Sequence, residues 1–357
     1  MVRALRILSA LSVILLTMGC AGKPLVPYSL DTPPLVLVPA SQSNVIDGRG
    51  RFREIYCAIR EDHGHRLPND RPCQEVVLRL AEEPAATGKP VHLGQARLQL
   101  RILVVPGLFN ECISSRSRPF TYALAHLEEY GYRTGVLQVG GRSSSAHNAA
   151  QIKDALLTMN LLPYEKVVLI GYSKGTPDIL EALVTYPEVR QRVEAVVSVV
   201  GVVGGTPMGE LISDPFLNLL MRIRLSDCPS GDEGAIESLR RSTRQLWLSR
   251  HELPRSIHYF SLGAFAERDD ISAILRSMYD KLARVDPRND SQVIFSDMII
   301  PGSTLLGFLK ADHWAVAMPL ARDLPALAAW VDRNEFPREV LLEAVIRFVE
   351  ENLMAYE

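Results

Sequence analysis

The chain has 357 residues, of which 47% are hydrophobic and 22% are charged, the balance of an ordinary globular protein. This length is enough for one large domain or two small ones. The formal net charge is −2 and no block of like charge stands out, so the composition gives no reason to expect a nucleic-acid-binding protein.

The first residues have the pattern of an export signal. Arg3 and Arg6 precede an apolar run at 7–18, which is short for a membrane span but fits the hydrophobic region of a signal peptide. A short buried helix is the alternative, and it leaves the basic flank and the position at the start of the chain unexplained. We therefore predict a signal peptide at 1–19.

The predicted signal ends at a cysteine, in the sequence Leu-Thr-Met-Gly-Cys at 16–20. This sequence resembles the lipobox of bacterial lipoproteins, in which a small residue precedes a cysteine that becomes lipidated. The resemblance implies a lipid anchor on Cys20, with a simple cleaved signal as the alternative. Ala21 after the cysteine favours the outer membrane of a bacterium that has one. Residues 20–44 contain many Pro, Ser and Thr and predict a tether that holds the protein at a membrane, facing the periplasm or the cell exterior.

Four further cysteines, an even number, fit an oxidising compartment. Pairing Cys57 with Cys73 closes a loop of polar residues. Pairing Cys112 with Cys228 joins two loops and would hold a lid, described below, near a ligand pocket. Other pairings and four unpaired thiols stay open as alternatives.

Residues 45–96 precede the first clear strand and predict either early antiparallel strands or a small covering segment. His63 and His65 flank a glycine in a polar stretch of this segment, where we expect them to be solvated. No Cys-x-x-Cys or Cys/His cluster in the chain has the spacing of a zinc site. We therefore expect neither a metal nor an organic cofactor.

From residue 97 onward the pattern alternates between strands and helices, which predicts a mostly parallel sheet with helices on both faces. Central parallel strands are buried on both sides and therefore appear as continuous apolar runs, as at 167–170. We predict strands at 98–105, 133–139, 166–170, 193–200, 257–262 and 305–309, and helices at 119–130, 145–161, 177–186 and 339–353.

One long segment interrupts this alternation. Residues 206–255 lie between two predicted strands and contain arginine-rich helical pieces. Insertions of this size usually lie over the carboxyl edge of the sheet, where ligands bind. We predict that this segment is a lid or cap within a domain at 97–357.

A candidate nucleophile follows the third of these strands. The sequence Gly-Tyr-Ser-Lys-Gly at 171–175 matches the G-x-S-x-G nucleophile elbow of α/β-hydrolases, between a buried strand and a helix. The pattern places Ser173 at a helix N-terminus, whose dipole favours a developing anion. A surface Gly/Ser turn is the alternative. A serine hydroxyl is a poor nucleophile at neutral pH and needs a base, with an acid behind that base.

The candidate base is His313. In α/β-hydrolases the triad follows the chain order Ser, acid, His, and His313 follows the last predicted strand and precedes the C-terminal helix. His251 lies in the predicted lid and His258 lies within a strand pattern, so both are weaker candidates. Asp312, directly before the base, is predicted to cap a helix or to be a surface charge.

The candidate acid is Asp290. The sequence Arg-Asn-Asp-Ser-Gln-Val at 288–293 resembles the N-D-G-x-V loop of bacterial lipases, with Ser291 in the place of the glycine. Asp286 and Asp297 stay open as alternatives. An aspartate beside a proline and an asparagine can also be a turn former only.

Two more segments resemble lipases. The sequence Val-Val-Pro-Gly-Leu-Phe at 104–109 resembles their H-G-x oxyanion loop, with a proline where histidine is common. This implies the backbone N–H groups of Leu108 and Lys174 as oxyanion donors. The sequence Gly-Gly-Thr-Pro-Met-Gly at 204–209 is similar to the T-P-H-x-G turn of many lipases, with methionine replacing histidine.

Together, residues 97–357 resemble α/β-hydrolases of the lipase type. The resemblance implies the α/β-hydrolase fold, with a mostly parallel central sheet, helices on both faces and an inserted lid. It also implies hydrolysis of a small-molecule or lipid ester through an acyl-enzyme. Acyl transfer to another acceptor and cleavage of a thioester or amide by the same triad stay open. So does a non-catalytic envelope lipoprotein that uses the fold as a binding platform.

Overall fold

An eight-stranded sheet forms the centre of this computed structural model, which describes residues 44–113, 116–210 and 231–355. The strand order is β1-β8-β7-β6-β5-β3-β4, and β2 also pairs with β8. All neighbouring strands are parallel except β2, which is antiparallel to β8. The strands are β1 (Ile46–Asp47), β2 (Val77–Leu78), β3 (Leu100–Val105), β4 (Arg133–Val136), β5 (Lys166–Tyr172), β6 (Val193–Val199), β7 (His258–Ala264) and β8 (Thr304–Leu309).

Helices alternate with these strands along the chain. They are α1 (Arg49–Asp62), α2 (Cys73–Val76), α3 (Asn110–Ile113), α4 (Thr121–Glu129), α5 (Ser145–Thr158), α6 (Gly175–Thr185), α7 (Pro187–Arg190), α8 (Ala235–Leu239), α9 (Arg241–Arg250), α10 (Arg276–Leu282), α11 (His313–Ala317), α12 (Leu320–Asp323) and α13 (Arg338–Met354). All of these strands and helices belong to one compact structural unit. Residues 80–82, which include a turn at 81–82, belong to a second unit.

The central strands bury side chains on both faces of the sheet. Along β3, Ile102 and Val104 enter one apolar core, and Leu103 and Val105 enter another. Helices α1, α4 and α13 contribute to the first core, and α5 and α6 contribute to the second. The predicted mostly parallel sheet with helices on both faces is therefore confirmed, and the six predicted strands and four predicted helices are present with ends shifted by up to three residues.

The segment 45–96 contains a short antiparallel strand, as one of the two expectations had it, together with a helix that was not predicted. Its main element is the 14-residue helix α1, whereas its strands β1 and β2 have only two residues each. The helix was signalled by apolar positions at i, i+3, i+4 and i+7, which is a helical period. These apolar side chains are almost completely buried in the first core: Phe52, Ile55, Tyr56 and Ile59.

His63 is also placed differently from the prediction. His65 is exposed, as expected, but His63 follows the last turn of α1 and its Nε2 lies 2.8 Å from Glu343 Oε2 on α13. The prediction that His63 is solvated is therefore wrong, because α1 turns this side chain toward the helices that cover the sheet.

Several predictions about the cysteines and the lid fall outside the described residues. These are the signal peptide at 1–19, Cys20 with nearly all of the tether, and Cys228 with the lid residues 211–230. Within the described part, the predicted lid contains α8 and α9. No described helix is both long and apolar enough to cross a membrane.

Cys57 and Cys73 are neighbours in the structure. They are unbonded thiols in hydrogen-bond contact, and this contact raises the pKa of Cys57 and lowers the pKa of Cys73. A disulfide between them stays a prediction, and their proximity is the condition that it requires.

Candidate active site

Ser173 lies in a strained turn at the carboxyl end of β5. Its φ of 55° is in the left-handed region, which costs a non-glycine residue about 1–2 kcal/mol. Three hydrogen bonds of 3.2 Å hold this backbone. The Ser173 amide donates to the Val199 carbonyl, and the Ser173 carbonyl accepts from the amides of Thr176 and Val202. The strand–turn–helix context that the elbow motif requires is therefore present.

Glycines make room for this turn. A Cβ atom on Gly107 would lie 2.8 Å from Ser173 Cβ and 3.2 Å from Ser173 Oγ. A Cβ atom on Gly175 would collide with the carbonyl oxygen of Val105. The loop after β3 and the turn after β5 can therefore approach each other only because Gly107 and Gly175 lack side chains.

Asp290 and His313 form a buried pair at the same edge of the sheet. Asp290 Oδ2 lies 2.6 Å from His313 Nδ1, and the His313 amide donates to the Asp290 carbonyl at 2.8 Å. Asp290 Oδ1 accepts from the amides of Gln292 and Val293 at 2.9 and 2.8 Å. Both carboxylate oxygens are thus satisfied, the imidazole is fixed through Nδ1, and Nε2 is left for proton transfer.

The other aspartates considered from the sequence are engaged elsewhere. Asp286 binds Arg288, and hydrogen bonds from that residue lower the pKa of Asp286 although burial opposes this. Asp297 faces Arg241, and burial raises its pKa to about 6. Asp312 caps α11 by accepting from the Ala315 amide at 2.8 Å, as predicted.

Tyr172 supports the imidazole from the residue before the nucleophile. Its ring packs on the His313 ring with 5.3 Å between centroids, and its hydroxyl donates to the His313 carbonyl at 3.1 Å. Burial raises the pKa of Tyr172 well above its ordinary value, so this hydroxyl stays a neutral donor. The two described side chains Ser173 and His313 form no hydrogen bond with each other here. In unliganded enzymes this contact is often long or poorly aligned.

The two predicted oxyanion donors lie on segments beside Ser173. Leu108 follows Gly107, and Lys174 directly precedes α6. Within the described residues, the amides of Leu108 and Lys174 donate to no other protein group. The next residue, Phe109, has a φ of 58° and donates its amide to the Gly141 carbonyl at 3.2 Å, which fixes the loop. Two unpaired N–H groups beside a serine hydroxyl can bind a developing oxyanion.

A buried ion pair lies beneath the elbow, and the sequence analysis did not identify it. Lys174 Nζ lies 2.7 and 2.8 Å from the two oxygens of Asp178, and the side chains are 1% and 0% exposed. Asn148 Nδ2 donates to Asp178 at 2.6 Å and to the Gly140 carbonyl at 2.9 Å. The lysine charge is thus held inside the fold, and its i,i+4 spacing to Asp178 was the available signal.

The loop that carries Asp290 is braced by the Thr-Pro-Met-Gly turn. Thr206 Oγ1 donates to the Gln292 carbonyl at 2.6 Å. Ser291 is completely buried, has a φ of 82°, and its hydroxyl has no hydrogen-bond partner. A left-handed residue is required here, which gives a physical reason for the glycine in the loop that this sequence resembles.

Comparisons with known proteins found similar solved structures. No protein-family model and no curated protein sequence matches the chain. A metagenomic carboxyl esterase, MGS0156, is 46% identical, with a TM-score of 0.84 over 89% of this chain and 96% of that one.

Two lipases share the fold only. The mature lipase BlEst2 of Bacillus licheniformis is 18% identical, with a TM-score of 0.53 over 74% of this chain and 96% of its own. The lipase of Staphylococcus hyicus is 13% identical, with a TM-score of 0.55 over 75% of this chain and 99% of its own. The identity to the metagenomic enzyme, over nearly the full length of both chains, shows that this chain belongs to the carboxylesterases of the α/β-hydrolase fold.

Proposed function

We propose that this protein hydrolyses carboxylic esters, with Ser173 as nucleophile, His313 as general base and Asp290 as the acid that orients the base. The observation that carries the proposal is the buried Asp290–His313 pair, at 2.6 Å, at the sheet edge where the strained Ser173 turn also lies. The similarity to a carboxyl esterase supports an ester as the substrate.

Each group has a defined role in the proposed mechanism. Ser173 Oγ attacks the acyl carbon while His313 Nε2 takes its proton, and Asp290 stabilises the imidazolium through Nδ1. The Leu108 and Lys174 amides bind the oxyanion of the tetrahedral intermediate, a donor type that is worth ~10²–10³ in turnover each. His313 then returns the proton to the leaving alcohol. Water, deprotonated by the same nitrogen, releases the carboxylic acid from the acyl-enzyme.

Labelling with a fluorophosphonate and a panel of p-nitrophenyl esters tests this function. We expect the wild-type protein to be labelled and to hydrolyse esters, and Ser173→Ala to do neither. The exposed Ser249, replaced by alanine, is the matched control and should behave as wild type. Folded wild-type protein that takes no label would instead indicate a binding platform.

A product assay separates hydrolysis from the alternatives that use the same triad. Ester turnover is measured with added alcohol or amine acceptors, and with thioester and amide substrates beside the matching ester. We expect free carboxylic acid as the main product and the ester as the fastest substrate. Predominant formation of a new ester or amide would identify an acyltransferase.

We also propose that the protein is exported and held at a membrane through a lipid on Cys20. The support is the sequence alone, with Arg3 and Arg6 before the apolar run at 7–18 and the cysteine after it. Metabolic labelling with palmitate should mark the wild-type protein and not Cys20→Ser. Processed wild-type protein that carries no lipid would contradict the anchor without affecting the proposed chemistry.

A further inference from the structure

Two imidazoles and a carboxylate meet at a point that the proposed catalysis does not use. His63 Nε2 and His126 Nε2 lie 2.8 and 2.7 Å from the same atom, Glu343 Oε2. The three donor atoms lie within 4.8 Å of one another. Glu343 is completely buried, and the side chains of His63 and His126 are only 12% and 7% exposed.

Three helices bring these side chains together. His63 follows the last residue of α1, His126 lies on α4, and Glu343 lies on α13. Helix α13 packs against both α1 and α4 on one face of the sheet. The cluster therefore joins the N-terminal segment to two helices that lie far from it in the sequence.

Two of the three donors also have a hydrogen-bond partner behind them. His63 Nδ1 lies 2.9 Å from Asp62 Oδ2, whereas the 4.0 Å between His126 Nδ1 and Glu129 Oε2 is too long for a hydrogen bond. Arg347 Nε donates to the second oxygen of Glu343 at 2.6 Å. Metal-ligating histidines commonly donate their other N–H to a carboxylate, and ligating carboxylates are hydrogen-bonded in turn.

We propose that His63 Nε2, His126 Nε2 and Glu343 Oε2 bind a divalent transition metal of the zinc class. Two imidazoles and one carboxylate are a donor set that suits Zn²⁺, whereas Ca²⁺ and Mg²⁺ take oxygen ligands. The imidazoles bind with the proton on Nδ1, the tautomer that Asp62 accepts from directly. The fourth position belongs to water or to the Tyr130 hydroxyl, which lies 3.0 Å from His63 Nε2.

The role of this site is structural. Its ligands lie at positions 63, 126 and 343, so one bound ion cross-links three separated parts of the chain. A metal that binds only the folded protein stabilises it by mass action. The site is separate from the Ser173 turn, and its presence or absence does not decide whether the protein hydrolyses esters.

The test uses the full chain after removal of metal with a chelator. Calorimetric titration with ZnCl₂ should show one ion per chain. Thermal unfolding should show a higher unfolding temperature with ZnCl₂ than without it. Co²⁺ should give the visible absorption of a low-coordinate nitrogen and oxygen site. His63→Ala should lose this binding. His65→Ala, which changes an exposed histidine two residues away, should keep it. Wild-type protein that binds no Zn²⁺, or His63→Ala that binds it equally, would overturn the proposal.

Two further variants remove the remaining ambiguities. The double variant Cys57→Ser/Cys73→Ser should keep the site, and loss of binding would place the metal on the thiols instead. Asp62→Asn changes a side chain that is 58% exposed, so we expect this variant to fold. It therefore tests the site even if His63→Ala does not fold. We expect its zinc affinity to fall ~10–100-fold, and an unchanged affinity would contradict the assigned geometry.

Discussion

Asp290 and Glu343 are both completely buried carboxylates that hold imidazole nitrogens at 2.6–2.8 Å. Asp290 binds one histidine and satisfies its second oxygen with the two backbone amides of its own loop. Glu343 binds two histidines through one oxygen and Arg347 through the other.

The two sites differ in whether a ring nitrogen of the histidine is still available for proton transfer. His313 makes its bond to Asp290 through Nδ1, so that Nε2 is available at the sheet edge beside the elbow. His63 has both ring nitrogens engaged, with Asp62 on Nδ1 and Glu343 on Nε2. A buried carboxylate–histidine contact is therefore a catalytic arrangement only where one nitrogen stays open toward a nucleophile.

The largest expected effect comes from removing the open imidazole. His313→Ala should lower kcat by ~10⁴–10⁶ because it removes the group proposed to take the serine proton. His251→Ala is the control, since His251 Nδ1 donates to the Trp247 carbonyl and the ring stacks on Trp247. Steady-state kinetics on a p-nitrophenyl ester measures both. Equal activity of His313→Ala and His251→Ala would contradict the assignment of His313 as the base.

Changing the carboxylate behind the base should cost nearly as much. In Asp290→Asn the amide replaces the oxygen that faces His313 Nδ1, so the imidazole takes the wrong tautomer and kcat should fall ~10⁴-fold. Asp297→Asn and Asp286→Asn should stay close to the wild-type kcat, because these carboxylates face arginines. A loss confined to Asp297→Asn would move the acid to that residue.

Asp178, in the ion pair under the elbow, is a third buried carboxylate, and its partner is the ammonium group of Lys174. Asp178→Ala leaves Lys174 buried without a counter-charge and should lower the free energy of unfolding by about 3–5 kcal/mol. The double variant Lys174→Met/Asp178→Leu removes both charges and should recover most of this loss. Chemical denaturation measures each value. A double variant no more stable than Asp178→Ala would show that the charges themselves stabilise the elbow.

The smallest expected effect tests a difference in backbone strain between the proposed catalytic site and the cluster of His63, His126 and Glu343. The catalytic side has left-handed residues at Ser173 and Ser291, whereas His126 and Glu343 lie within regular helices. Ser291→Gly relieves a φ of 82° and removes a hydroxyl without a partner, so it should stabilise the protein by about 1 kcal/mol. Ser272→Gly is the control. Its φ is −52°, so glycine should destabilise by about 0.5–1 kcal/mol.

The sequence predicted those parts of the site that are encoded locally. The elbow at 171–175 and the loop at 288–293 each combine a turn with the residue that the turn presents, so a short pattern was sufficient. The parallel sheet followed from continuous apolar strands. Helix α1 was missed although its four buried apolar positions have helical spacing.

Contacts between distant residues could not be predicted in the same way. His63 and Glu343 are 280 positions apart, and only the packing of α1 against α13 makes them neighbours. The contact of Tyr172 with His313 depends on where the chain after β8 returns, which no local pattern states. The same reason separates the predicted acid from Asp297, whose partner Arg241 is 56 positions away and becomes its neighbour only in the folded chain.

Trapping the covalent intermediate tests the proposed chemistry most directly. A slowly hydrolysed ester is mixed with the wild-type protein, the reaction is quenched during turnover, and the acylated peptide is identified by mass spectrometry. We predict that the acyl group is on Ser173 and that it accumulates far more slowly in Asp290→Asn. Turnover with the acyl group on another residue, or with no acylated protein at all, would contradict the proposed mechanism.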